Sequence, residues 1–434
     1  MKYYSTKNKS AFYSFRDAVL KGLPEDNGLF MPEKFEKLPT SFFSALEEMD
    51  ISAIGYEICK RFTEPDLPTA ELERICLEAF NFPVPLVKLN GQSYVAELFH
   101  GPTLAFKDFG ARFMARVMSY LNKGEKKRLT ILVATSGDTG GAVADGFFNV
   151  EGIEVFILYP SGGVSDLQEK QLTTYGGNIR AIEVKGTFDD CQHMVKSAFL
   201  DKDLSAQYRL SSANSINISR LIPQMVYYFS AYAQLPEKSN VVFTIPSGNF
   251  GNLTAGLFAK RIGLPVSHFM AATNVNDTVP QYLSGKGFTP RPSTSTISNA
   301  MDVGNPSNFG RMLELFNNSL RDIQQEISAF SISDQETEAM MKKIYKENGY
   351  ITDPHGAVGI AGWDKYLSAH PGSNGVILET AHPAKFIDTV ERVLNISVPL
   401  PEALEKLRSK TKSTHLISSN FSELKDYLSG FRDI

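Results

Sequence analysis

The sequence predicts an α/β fold in which mainly parallel sheets carry helices on both faces, preceded by a mainly helical region. Three observations lead there. From Lys88 onward, short runs rich in β-branched residues recur; each ends in a loop of glycine and hydroxyl residues, and each leads into an amphipathic stretch. Strands that alternate with helices imply βαβ units, because parallel neighbours need a crossover and the crossover covers the sheet. In such sheets a ligand sits outside the carboxyl ends of the strands.

Taken in order, residues 1–95 show helical spacing, as in 42–49 and 51–62, broken by Pro and Gly. Strands are expected at 129–133, 155–158, 179–184, 241–245 and 376–378. A helix is expected from Lys107, where Phe109, Phe113, Val117 and Leu121 recur every fourth residue, and another over 253–261. The stretch 284–306 has linker-like composition, but the embedded Asn299-Ala300-Met301-Asp302-Val303-Gly304-Asn305-Pro306 favours an ordered loop near a site. Residues 311–349 read as two helices, with Leu313, Leu315, Phe316 and Leu320 on the first, and the last 35 residues read as helical and charged. The expected division is 1–95, a core of two subdomains over 96–400, and a helical segment over 401–434.

A chain of 434 residues, 42% hydrophobic and 21% charged, can bury a core of two or three domains. Its 48 acidic and 44 basic residues are dispersed, without a basic block or acidic tail, which argues against nucleic acid and membrane surfaces as partners. Met1 to Lys7 contains no apolar signal core, and no stretch approaches the roughly 18 apolar residues of a spanning helix, so a cytoplasmic protein is expected. Cys59, Cys76 and Cys191 are odd in number and lack CxxC spacing, so they read as buried free thiols. Metal spacing among the seven histidines is missing as well, and no metal is expected.

Three strand ends carry the chemistry. Thr135-Ser136-Gly137-Asp138-Thr139-Gly140-Gly141 follows the first, offering hydroxyls and backbone N–H groups to an anion at a helix N-terminus. Pro246-Ser247-Gly248-Asn249-Phe250-Gly251-Asn252 follows the second, and its glycines let backbone approach a phosphate closely. The third delivers the neutral hydroxyl of Thr380. None matches GxGxxG or GxxxxGK[ST], and glycine-rich turns also occur in α/β proteins without a ligand. Lys107 opens a helix, where the dipole disfavours a second positive charge and lowers an amine's pKa toward the nucleophilic form. A solvated lysine leading a surface helix is the other reading, and the apolar Leu104-Ala105-Phe106 before it weighs against full exposure.

Read together, these segments resemble the threonine synthase family, within the tryptophan-synthase-β-like pyridoxal phosphate (PLP) enzymes of fold type II. The resemblance spans nearly the whole chain. It runs from Ser14-Phe15-Arg16-Asp17 and Asp26-Asn27-Gly28-Leu29-Phe30-Met31-Pro32 through Phe99-His100-Gly101-Pro102-Thr103-Leu104-Ala105-Phe106-Lys107-Asp108-Phe109-Gly110, the Thr135 loop and Ser212-Ala213-Asn214-Ser215-Ile216-Asn217-Ile218-Ser219-Arg220. The Ser247–Asn252 segment, the stretch 299–311, Asp353-Pro354-His355-Gly356 and Glu379-Thr380-Ala381-His382-Pro383 complete it. It implies two parallel-rich α/β domains with the active site between them. It also implies that Lys107 is bonded to PLP, that Gly248, Asn249, Phe250, Gly251 and Asn252 form its phosphate cup, and that Thr380 faces the pyridine nitrogen without enforcing a protonated ring.

Thr135, Ser136, Gly137, Asp138 and Thr139 resemble the segment that binds the substrate's α-carboxylate, with Asp138 where many relatives have Asn. For the substrate phosphate, the guanidinium of Arg220 is the expected partner, assisted by Asn214. His100, His355 and His382 read first as packed or orienting residues, and Met114 and Met118 as core. The implied reaction converts O-phospho-L-homoserine and water to L-threonine and phosphate, with Lys107 moving the protons, in a monomer or small homo-oligomer. Two alternatives stand beside it: a PLP lyase giving 2-oxobutyrate from the same substrate, and a non-catalytic ligand-binding relative. Without the long N-terminal extension of plant threonine synthases, no activation by S-adenosylmethionine is expected.

Overall fold

Strands covered on both faces read as near-continuous apolar runs. In the computed structural model, which describes residues 1–431, the strands Leu129–Ala134, Val241–Pro246 and Asn374–Glu379 are buried at every residue. They belong to two large sheets. One has six strands in the spatial order Ile327–Ser331, His268–Thr273, Val241–Pro246, Asn374–Glu379, Ser93–Glu97 and Leu86–Asn90, parallel except at the last pair. The other has five parallel strands in the order Thr414–Ser418, Ile179–Lys185, Ile153–Pro160, Leu129–Ala134 and Arg209–Ser212.

All five strands expected from the sequence are interior strands of these sheets. The four edge strands were not expected, because an edge is short or half solvated and lacks the continuous apolar run. Ile327–Ser331 divides the stretch read as two helices into the helices Phe309–Leu315, Leu320–Glu326 and Asp334–Asn348. Thr414–Ser418 likewise corrects the all-helical reading of the C-terminal segment: it pairs in parallel with Ile179–Lys185 between the helices Glu402–Arg408 and Phe421–Ser429. Residues 432–434 of that segment lie outside the described residues.

The first 95 residues hold the helices Phe15–Lys21, Thr40–Ala45, Ile51–Thr63 and Thr69–Ala79, but also an antiparallel sheet of Asn8–Tyr13, Tyr3–Ser5 and Phe30–Pro32. Ser14 caps Phe15–Lys21 in a capping box with Asp17, which the Ser-Phe-Arg-Asp spacing encodes. The expected boundary at 95 falls inside Ser93–Glu97, a strand of the six-stranded sheet. Among the described residues, no helix is long and apolar enough to cross a membrane.

Helix Lys107–Leu121 buries Phe109, Phe113, Val117 and Leu121 together with Met114 and Met118, so the fourfold spacing faces the core as read. On the six-stranded sheet, the helix Pro354–Ala369 lays Trp363 over Gly375, and the indole N–H donates to Ser93 Oγ at 2.7 Å. A Cβ at Gly375 would lie 2.3 Å from the indole ring. Neither the ring nor an interior strand can retreat cheaply, so Gly375→Ala is expected to destabilise the protein by about 1–3 kcal/mol. Chemical denaturation followed by the fluorescence of the single tryptophan measures it.

Candidate active site

The segment that carries Lys107 is held by backbone hydrogen bonds along the end of Asn374–Glu379. Leu98 N–H donates to Glu379 O and Phe106 N–H to Thr380 O, both at 2.9 Å, while His382 N–H donates to Leu104 O at 3.0 Å. Lys107 and Thr380, distant in sequence, are thereby brought to one cavity. Lys107 is the first residue of its helix, and Thr103 caps the turn by donating its N–H and hydroxyl to Asp108 at 2.9 and 2.5 Å. The Lys107 ammonium sits 4.3 Å from the Phe106 ring centroid and makes no hydrogen bond among the described residues. Its side chain is half-buried and lines both cavities of the cleft. Burial, and then the charge of Arg220, push its pKa down to about 8, against a smaller opposing pull from Asp138. The helix-end argument had the right direction, but desolvation is the leading cause.

At the end of Val241–Pro246, the backbone N–H groups of Gly248 to Asn252 have no partner among the described residues, and they converge at the start of the helix Gly251–Arg261. Phe250 supplies the left-handed turn at φ 58°. Asn249 Oδ1 accepts the Ser307 N–H at 3.3 Å and hydroxyl at 3.2 Å, fixing the cup to the neighbouring loop. Tyr227 and Tyr228 hydroxyls donate to Asn252 Oδ1 at 2.7 and 2.8 Å, so the buried Nδ2 points away from them and lacks a partner among the described residues. A Cβ at Gly248 would lie 2.9 Å from Met301 Cα, which leaves room for backbone alone. PLP fits this arrangement: its phosphate would answer the free N–H groups and the orphaned Nδ2, and the Thr380 hydroxyl, without a partner among the described residues, belongs to a residue lining the same cavity as Lys107.

A second cavity adjoins the first at Lys107 and Asp138. Ser136, Asp138 and Thr139 line it, and their N–H groups and the Ser136 and Thr139 hydroxyls are free among the described residues. Thr135 also lines it, but its hydroxyl accepts the N–H groups of Gly137 and Gly140 at 3.0 and 2.8 Å, so part of the expected anion site is spent on shaping the turn. Gly137 lines neither cavity; at φ 129° it faces Gln168. Asn214 lines the cavity while its amide is tied to Ala134 O at 2.8 Å.

Arg220 donates Nη1–H to Ala213 O at 2.6 Å, and its buried Nε has no partner among the described residues. Burial pushes its pKa down to about 10, against the attraction of Asp108. It is therefore a desolvated cation with donors to spare.

The loop 299–303 closes both cavities, as its motif had indicated. His355 holds that loop: Nε2 accepts the Ala300 N–H at 3.1 Å, and Nδ1 lies 2.5 Å from Asp353 Oδ1. His382 Nδ1 accepts the Ala384 N–H at 3.1 Å and burial pushes its pKa down to about 4, while His100 pairs with Glu97 at 2.7 Å. All three are orienting histidines. Sequence reasoning missed Lys385, two residues beyond the last motif it used: the side chain is fully buried, with Nζ 2.8 Å from Asp138 Oδ1. Burial would raise the Asp138 carboxyl, but Lys385 and then Gln168 outweigh it and hold it below the usual range.

Family models agree with this geometry along the chain. The model described as pyridoxal-phosphate dependent enzyme matches residues 77–380, that for the threonine synthase N terminus matches 2–80, and that for the threonine synthase C-terminal region matches 356–428. Threonine synthase of Haemophilus influenzae is 46% identical over 430 residues, covering 99% of both chains. The crystal structure of threonine synthase from Escherichia coli superposes with a TM-score of 0.93 at 42% identity, over 99% of this chain and 100% of that one. PLP-bound threonine synthase from Brucella melitensis gives 0.93 at 35% identity, covering both chains completely (100%). With a cup shaped for a phosphate, a desolvated lysine beside it and likeness from end to end, the chain belongs to the threonine synthase family of PLP-dependent enzymes.

Proposed function

We propose that this chain is a cytoplasmic enzyme that converts O-phospho-L-homoserine and water to L-threonine and phosphate, with Lys107 carrying PLP and moving the protons. The observation that supports this best is one desolvated amine standing where two adjoining anion-binding cavities meet. A substrate with a carboxylate and a phosphate, acted on by a cofactor with a phosphate of its own, needs three anion sites, and the two cavities offer the Gly248–Asn252 cup, the Ser136–Thr139 loop and Arg220.

Bound PLP supplies an electron sink that makes the Cα and Cβ protons of an amino acid removable. Gly248, Asn249, Phe250, Gly251 and Asn252 would hold its phosphate through backbone N–H groups and Asn252 Nδ2, and Thr380 would offer the ring a neutral hydroxyl. Ser136 and Thr139, with the N–H groups at the start of the helix Asp138–Phe147, take the substrate carboxylate; Thr135, Gly137 and Asn214 shape that loop. Asp138 faces both cavities, beside the amine of Lys107.

With substrate in the cleft, the Lys107 amine is the base that would accept the Cα proton. A pKa near 8 leaves it a usable base and, once protonated, a usable acid for the return step. Arg220 takes the leaving phosphate. A buried guanidinium without a full set of partners is costly, and an arriving phosphate dianion removes that cost while stabilising the departing charge. Lys107 also takes a proton from Cβ as the Cγ–O bond to phosphate breaks, and a proton is delivered to Cγ; water then adds its hydroxyl at Cβ, its remaining proton goes to the released phosphate, and Lys107 returns a proton to Cα.

Purified protein given O-phosphohomoserine should release phosphate and threonine in equal amounts; 2-oxobutyrate in place of threonine would overturn the reading. Lys107→Ala should lower threonine formation by on the order of 10³-fold. Arg220→Gln should lower kcat/KM roughly 100-fold while keeping the visible absorbance of bound PLP, since it serves the substrate phosphate and not the cofactor's. Lys107 is neutral above its lowered pKa and protonated below it, so the rate of PLP uptake by cofactor-free protein should rise about tenfold per pH unit up to roughly 8 and level off above. Stopped-flow absorbance measures that profile.

A further inference from the structure

The ion pair of Lys385 and Asp138 spans the cleft. Lys385 lies on the turn Pro383–Phe386 that follows Asn374–Glu379 in the six-stranded sheet, while Asp138 opens the helix behind Leu129–Ala134 in the five-stranded one. Lys385 Nζ is 2.8 Å from Asp138 Oδ1 and donates to Thr103 O at 2.8 Å, and Gln168 Nε2 donates to the same Oδ1 at 3.0 Å. Asp138 lines both cavities; Lys385 lines neither.

Burying a lysine this completely is expensive, and apolar packing could join two halves of a cleft at lower cost. The charge therefore calls for a reason other than adhesion. Lys107 faces Arg220 from the helix Ile218–Leu221 and Asp138 from its own helix start. Asp138 in turn faces Lys385, and His355 from the helix Pro354–Ala369, while Asp108 is the other carboxylate that feels Lys385. A bare carboxylate beside an amine would hold it protonated, since an opposite charge at close range shifts a titration by about 1–3 pH units.

We propose that Lys385 is a positioning residue for Lys107: by pairing with Asp138 it fixes that carboxylate and cancels its charge, so that Lys107 faces a neutral couple and can give up its proton. This rests on the reading of Lys107 as a working amine. A pair that merely clasps the two sheets would give Lys107 no reason to respond to the sign of the charge removed.

The test titrates Lys107 in the full chain freed of PLP, by acetic anhydride labelling over a pH series with the Lys107 peptide read by mass spectrometry. Lys385→Met, which leaves Asp138 negative, should raise the Lys107 midpoint by roughly one pH unit or more, and Asp138→Asn, which leaves Lys385 positive, should lower it by a similar amount. The double variant, neutral at both positions, should return it close to the parent value, and the pH midpoint of PLP uptake should move with it. Shifts in the same direction, or none, overturn the proposal and leave a clasp whose loss shows only in the melting temperature. If Lys385→Met does not fold, Asp138→Asn decides alone: a downward shift supports the proposal, and an upward shift or none overturns it. Lys107 is titrated without substrate, so the result is separate from the threonine assay that decides the reaction.

Discussion

Leu98 and Phe106 donate backbone hydrogen bonds to Glu379 and Thr380, and His382 returns one to Leu104, so the chain entering Lys107 runs against the chain leaving the central strand Asn374–Glu379. Backbone pairing of this kind does not depend on rotamers, and it sets Lys107 and Thr380 on one cavity wall to within the tolerance of a sheet. The remaining groups are placed relative to that wall. The Gly248 cup ends the adjacent strand Val241–Pro246, and Lys385 emerges just past Thr380. The other sheet presents the ends of Leu129–Ala134 and Arg209–Ser212 across the cleft. Both sheets thus aim carboxyl ends at one volume, where helix N-termini and free N–H groups gather.

Charge inside that volume follows a division of labour. Lys385 and Asp138 compensate one another, and Gln168 and Thr103 complete their hydrogen bonds, so this pair is settled in the free protein. Lys107 and Arg220 are unsettled: each is desolvated, each has a depressed pKa, and the Arg220 Nε has no partner among the described residues. Buried cations that lack partners are waiting for anions or for bond formation, and both chemistries are what a PLP enzyme acting on a phosphorylated amino acid requires. Orienting histidines sit one layer out, where His355 holds the loop that closes both cavities.

Particular elements explain which parts of this could be read from the chain. Most interior strands announced themselves because both faces are covered and the run is largely apolar; Ser93–Glu97, with Ser93 and Glu97 at its ends, and the edge strands Ile327–Ser331 and Thr414–Ser418, which are only partly buried, did not. His268–Thr273 is interior, yet its Phe-Met-Ala-Ala core suits a helix as well as a strand. In the site, Lys107 and the Gly248–Asn252 cup lie on contiguous motifs and were legible. Thr135 was read as a ligand group, but its hydroxyl turned out to serve Gly137 and Gly140, a choice made by the turn's own geometry. Lys385 gave no warning because a buried lysine and a solvated one are the same letter.

The sequence by itself determined the α/β class, the interior strands, the glycine-rich cup and the lysine at a helix start, since these depend on periodicity, backbone freedom and local order within a few residues. Only the tertiary structure decided which cations are paired and which are left open. That depends on distances between segments that share no sequence neighbourhood, Asp138 with Lys385 and Lys107 with Arg220, and on the burial that makes each of those distances count.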